Sequence, residues 1–129
     1  MKQAIPTALP THGRPFEWAI LAGGVIYTAA APLHPDGTPE TGPITVQARL
    51  ALGNLREVLT EAGGSMADVV QAMLYVTDRS AIDPITAVWA EFFSPPYPNR
   101  GTVIVSEIGI EGVGMLVMVH AHIGTEARA

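Results

Sequence analysis

Cysteine is absent from the chain, and lysine occurs once, at Lys2. The first absence excludes disulfides, thiolate zinc sites, iron–sulfur clusters and thiol nucleophiles. The second argues against a Schiff-base mechanism, because an amine at the second residue falls where order is expected to be poorest. Charged residues are scarce at 15% of the sequence, the formal net charge is −5, and there is no basic stripe. Nucleic acid is therefore a disfavoured partner, since neutralising phosphates takes clustered lysine and arginine. No apolar run approaches the length of a membrane span, and no signal-peptide pattern opens the sequence. These absences set the expectation of a cytoplasmic protein with no membrane partner.

What is present is apolar. Hydrophobic residues make up 48% of 129 positions, enough for the core of one domain spanning residues 1–129. With so little charge, much of the surface must be small or apolar, as expected where subunits meet.

The order of elements follows from hydrophobic period and punctuation. Trp18 to Ala22 and Val25 to Ala31 read as two strands around a Gly23-Gly24 turn. Residues before them, with Pro6, Pro10 and Gly13, read as a loose or edge-strand start. From Ile44 to Ala62 the period becomes helical, with Ala48, Leu52, Leu55 and Leu59 on one face. Thr41 or Thr45 is the expected cap, with Pro43 in the first turn and Gly63-Gly64 as the stop. Gly53 inside this helix implies a close approach by a neighbour. Val69 to Thr77 reads as a strand covered on both faces, with Val70, Ala72, Leu74 and Val76 on one of them. Asp83-Pro84 opens a second helix, with Asp83 as N-cap and Ile85, Val88, Trp89 and Phe92 as its buried stripe. Two strands close the chain, Thr102 to Ile108 and Met115 to Ile123. The order is ββαβαββ, in which the strand–helix–strand steps are candidate crossovers.

Between the second helix and the strand after it lies Pro95-Pro96-Tyr97-Pro98-Asn99-Arg100. Proline fixes φ and removes a donor, so this is a stiff, extended lead-in that delivers Arg100 to the start of a strand. A guanidinium on a rigid element suits a carboxylate, because it offers paired donors in a fixed plane. The alternative is a structural ion pair.

With these pieces assembled, the chain resembles the Rid/YjgF family of small enamine and imine deaminases. The resemblance is carried by AGGVIYTAAAPLHPDG, QARLALGNLREVLTEAGGSMADVV, LYVTD, WAEFF, PPYPNRGTVIV and LVMVHAHI, in the family's order and spacing. It implies an α+β fold of the YjgF/chorismate mutase-like type: one mixed β-sheet with two helices on one face. It implies a homotrimer with sites at the subunit interfaces, small carboxylate-bearing substrates and no cofactor. Arg100 matches the family arginine that grips the substrate carboxylate. The other positions are replaced. Phe16 falls at a tyrosine position, Thr28 at a serine, Ala29 at a glycine, Thr86 at an asparagine, and Thr102 at a position often held by cysteine. His120 falls where deaminating members carry a glutamate thought to place the attacking water.

Imine hydrolysis requires a held carboxylate, a protonated nitrogen and a delivered water. Arg100 suits the first task, and His120 suits the last, because an imidazole can accept or donate a proton at neutral pH. Tyr97, between prolines, is placed at the cleft mouth as a further substrate contact. Phe16 in place of tyrosine removes a hydroxyl and suggests a less polar or larger substrate. His120 and His122, two apart on a strand, share a face, with Glu107 or His34 as the nearest conceivable third ligands; no metal site is expected. His12 and His34 read as exposed loop residues and Trp89 as core. The expected function is a Rid-like hydrolase or deaminase that converts small enamine or imine carboxylic acids to keto acid and ammonia. A non-catalytic trimeric binding protein for keto acids is the alternative.

Overall fold

Gly23 and Gly24 hold φ of 57° and 77°. A two-residue hairpin loop of this kind needs positive φ at both positions, which glycine adopts without strain. A computed structural model describes residues 1–124 of the chain; residues 125–129 of the expected domain lie outside the described part. Within it the strands are β1 (Gln3–Ala4), β2 (Ala19–Ala22), β3 (Val25–Ala30), β4 (Val69–Val76), β5 (Asn99–Ile104) and β6 (Met115–His122). The helices are α1 (Ile44–Glu61) and α2 (Ile82–Phe92). The strands form a single sheet in the order β1-β2-β3-β6-β4-β5. Only β4 and β5 pair in parallel, and the other neighbours are antiparallel. The last strand thus inserts between β3 and β4, closing a gap that the α1 crossover leaves open.

The α1 face read from the period is the one that is buried. Ala48, Leu52, Leu55 and Leu59 are fully covered, and they meet Ile26, Leu74, Val117 and Val119 of the sheet together with Ile85 and Val88 of α2. The start of α1 differs from expectation. Pro43 itself is the N-cap, since its carbonyl accepts from the Val46 and Gln47 amides, and no side chain caps the helix. Gln47 supplies the polar anchoring there: it donates through Nε2 to the Gly42 carbonyl (2.9 Å) and accepts from the Gly114 amide (2.8 Å). Thr41 instead lies against Gly112, in the turn before β6. At the other end Gly63 takes φ 85° and the Gly64 amide reaches the Leu59 carbonyl, as the sequence suggested.

α2 also starts earlier than Asp83. A 3-10 turn over Arg79–Ala81, capped by Asp78 accepting from the Ser80 amide, runs straight into Ile82. Asp83 and Pro84 therefore sit inside the first turn, where an absent N–H leaves no bond unmade. In β4 a bulge between Val69 and Gln71 shifts the alternation. Val69 joins Ala72, Leu74 and Val76 in the core, and Val70 turns outward, 52% exposed. The face opposite the helices is not covered within the chain: Tyr27 and Met118 are exposed on it. β5 begins at Asn99, three residues before the expected start, and ends at Ile104. Its bounds are set by its partner, since the ladder runs from Gln71↔Asn99 to Val76↔Ile104 and β4 stops there.

Gly53 approaches nothing. A Cβ built there has no neighbour within 4 Å, contrary to the close packing expected. The glycine is therefore a helix-interior weakness. Gly53→Ala is expected to raise stability by roughly 0.5–1 kcal/mol in urea unfolding. A loss of stability would mean that another surface packs on this point of α1.

Candidate active site

Arg100 lies second in β5 and pairs with Ala72 of β4. Ala72 is wholly buried beneath the helices, so Arg100 shares the helix-covered face of the sheet. Its side chain runs onto α2. The guanidinium carbon stands 4.9 Å from the centre of the Trp89 ring, and Nη2 donates to Thr86 Oγ1 at 3.0 Å. Thr86 and Trp89 are three apart on α2, so both reach the same neighbour. Burial lowers the Arg100 pKa from its ordinary value, yet a guanidinium stays charged at any physiological pH. Among the described residues no carboxylate pairs with it; the carboxylate ion pairs there are Arg49–Glu91 and, if protonated, His34–Glu40. Arg100 is therefore a half-withdrawn cation anchored by an aromatic face and a hydroxyl. The Pro95–Pro96 peptide in the lead-in is cis. Tyr97 in that lead-in is exposed, and Thr102, also on the helix side of β5, is exposed as well.

The remaining expected site residues lie elsewhere. His120 pairs with Tyr27 of β3 and Gln71 of β4, on the open face of the sheet, opposite to Arg100. Its ring meets Tyr27 edge-on, with centroids 5.1 Å apart. His122 follows on the same open face, beside Val25. Ala29 is exposed there too. Thr28 points the other way: it is buried and donates to the Trp18 carbonyl at 2.9 Å. Phe16 is half-exposed near β2, stacked on His12 at 4.1 Å and edge-on to Trp18 at 6.0 Å. His12 is thus part of an aromatic cluster rather than a free loop residue. His34 contacts Glu40 at 3.2 Å. Among the described residues no three His, Asp or Glu side chains gather to hold a metal.

The sheet order makes this division unavoidable. Four inter-strand steps separate β2 from β5, roughly 19 Å at ~4.8 Å per step. One chain brings together Arg100, Thr86 and Trp89. It leaves Phe16, Thr28 and Ala29 toward the far edge and His120 on the opposite face. Trp89 is the residue that its helical spacing assigned to the core, with a cleft wall as the lesser alternative. Its spacing from Thr86 was the available signal, but nothing in the sequence showed that Arg100 would lie across that helix face.

The family model described as Endoribonuclease L-PSP matches residues 7–123. The chain belongs to this family, the Rid/YjgF proteins. The Rid chain is 33% identical over 110 residues to a protein of Dermatophagoides farinae named 2-iminobutanoate/2-iminopropanoate deaminase, covering 83% of this chain and 86% of that one. It is 32% identical over 102 residues to the mitochondrial protein mmf2 of Schizosaccharomyces pombe, covering 79% and 81%. Among solved structures, the Rid-family protein YyfA of Yersinia pestis superposes with a TM-score of 0.89 at 28% identity, covering 95% of this chain and 100% of that one. TdcF of E. coli, solved with bound serine, superposes at 0.83 with 25% identity, covering 93% and 98%. The single mixed sheet with two helices is thus the fold of the family.

Thr28 gives a direct check on this geometry. Thr28→Val keeps the shape and removes the buried donor to the Trp18 carbonyl. Chemical denaturation should show a loss of about 1 kcal/mol. A variant as stable as the parent would mean the hydroxyl is turned elsewhere.

Proposed function

We propose that this Rid-family chain is a deaminase of small enamine and imine carboxylic acids, releasing a 2-keto acid and ammonia. The observation that carries the reading is the Arg100 guanidinium, held by Trp89 and Thr86 with no carboxylate of the described chain opposite it. Such a group selects ligands bearing a carboxylate, because a partly desolvated cation gains most from a charged, bidentate acceptor. The name of the Dermatophagoides farinae relative supports the substrate class.

The reaction balances as the zwitterionic imine R–C(=NH2+)–COO− plus water giving R–CO–COO− and NH4+; an enamine first tautomerises to the imine. Water adds to the imine carbon, and the carbon–nitrogen bond of the resulting carbinolamine then breaks. Arg100 holds the carboxylate and His120 takes the proton from the attacking water, returning it to the departing amine. Thr102 and Thr86 border the guanidinium, Tyr97 stands at the mouth, and Phe16 and Ala29 shape the other wall, with Thr28 buried behind it tying β3 to the Trp18 carbonyl. Since one chain separates these groups, the working unit is read as a homotrimer whose sites lie between subunits, each a single Rid-like domain. The exposed Tyr27, Val70, Val103 and Met118 fit burial against other copies. No cofactor, membrane or nucleic acid enters this scheme, and the −5 charge weighs against RNA as a substrate. Among the described residues no helix is long and apolar enough to cross a membrane. The cysteine-free sequence suits the reducing cytoplasm, with the mitochondrion of the fission-yeast relative as the alternative compartment.

The second reading is a trimeric binding protein for keto acids or similar metabolites. It is favoured by His120 standing at the family's glutamate position and by the bound serine in E. coli TdcF.

Imines generated in situ by an amino acid oxidase separate the two. Keto acid release should exceed the spontaneous rate, Arg100→Ala should lower kcat/KM on the order of 100-fold, and His120→Gln should act mainly on kcat. No acceleration with any imine, alongside measurable keto acid binding, selects the binding protein. A monomer at micromolar concentration in analytical ultracentrifugation would contradict the shared site.

A further inference from the structure

We infer that Trp89 is the positioning residue of the carboxylate clamp, its indole fixing the Arg100 guanidinium so that one bidentate edge stays presented to the ligand. This rests on the reading of Arg100 given above and names the group that makes it specific. Trp89 is only 6% exposed and is wedged against Phe93, with ring centroids 4.7 Å apart. The indole therefore has little freedom. Arg100 lies over its face at 4.9 Å, a distance at which the ring quadrupole attracts a cation. One face of the guanidinium is thereby occupied.

Thr86 defines the rest of the geometry. A guanidinium has two edges that can grip a carboxylate with parallel N–H donors, and Nη2 contributes one hydrogen to each. Thr86 Oγ1 accepts one Nη2 hydrogen and so takes one edge. The other edge keeps both of its donors. The Thr86 hydroxyl hydrogen, with its oxygen already accepting, is directed away from the cation. It can donate to an oxygen beside the bound carboxylate, as the keto group of a 2-keto acid provides. The clamp is thus a pair of groups one helical turn apart on α2 acting through a residue on β5. Trp89 touches no ligand in this scheme.

Calorimetric binding of 2-oxobutanoate to the full chain tests the assignment. Trp89→Met keeps a flexible apolar side chain without an aromatic face and should weaken binding about tenfold. Trp89→Phe keeps a weaker quadrupole and should weaken it about twofold to threefold. In an Arg100→Lys background, where no planar group remains to be oriented, both changes should alter Kd by less than about twofold. That loss of coupling separates positioning from a general structural role, which would persist whatever residue stands at 100. An unchanged Kd in Trp89→Met, or the same loss in both backgrounds, overturns the inference. If Trp89→Met does not fold, the Trp89→Phe ratio decides by the same criterion, with an unchanged Kd counting against it. Tight binding by the parent that Arg100→Ala leaves untouched removes the clamp reading itself, and a parent that does not bind 2-oxobutanoate removes both.

Discussion

A guanidinium partly withdrawn from water, stacked on an indole and facing no carboxylate among the described residues, is a cation with an open side. Burying a cation is unfavourable unless something compensates, and here the compensation within the chain is partial: one aromatic face and one hydroxyl. The rest of the local structure serves that arrangement. The proline-rich lead-in reaches β5 at Asn99, the parallel pairing with β4 fixes which way Arg100 points, and α2 presents Thr86 and Trp89 to it. A charge held in this manner is unfavourable to stability, and under the proposed function it is useful to binding, because a carboxylate ligand would supply the missing partner.

The sheet order imposes the second constraint. Parallel β4 and β5 are joined by a crossover through α2, and β5 ends the strand order, so Arg100 lies at one edge of the sheet. The aromatic cluster of His12, Phe16 and Trp18 is at the other. His120 faces away from both helices. A reaction that needs the clamp together with these groups cannot be completed inside one sheet. The sparse surface charge and the exposed apolar side chains of the open face are what such a chain would carry if several copies share the work.

Much of this was legible in the residues, and the failures have physical causes. Periodicity gave the α1 face correctly because four apolar positions repeat at helical spacing with no competing pattern. The Gly23-Gly24 hairpin was equally plain, since few residues accept positive φ twice in succession. The β4 face was misjudged at Val70 because a bulge moves the alternation by one and leaves no mark in an apolar run. The cap of α2 was displaced because Asp78 begins a 3-10 turn that merges with the helix, so the more familiar Asp-Pro pair sits one turn too late. Gly53 was credited with a contact it does not make. At the site, the proline approach singled out Arg100, but sequence carries no information on which face of a sheet a residue 11 positions after Trp89 will take. That pairing, and the separation of His120 from Arg100, are set by strand order and register together.

A crystal structure with 2-oxobutanoate tests the central claim most directly. The account predicts the ligand carboxylate bidentate on the free edge of Arg100, its keto oxygen near Thr86, and the opposite wall supplied by another copy of the chain. A carboxylate bound away from Arg100, or a complete site formed within one chain, would contradict it.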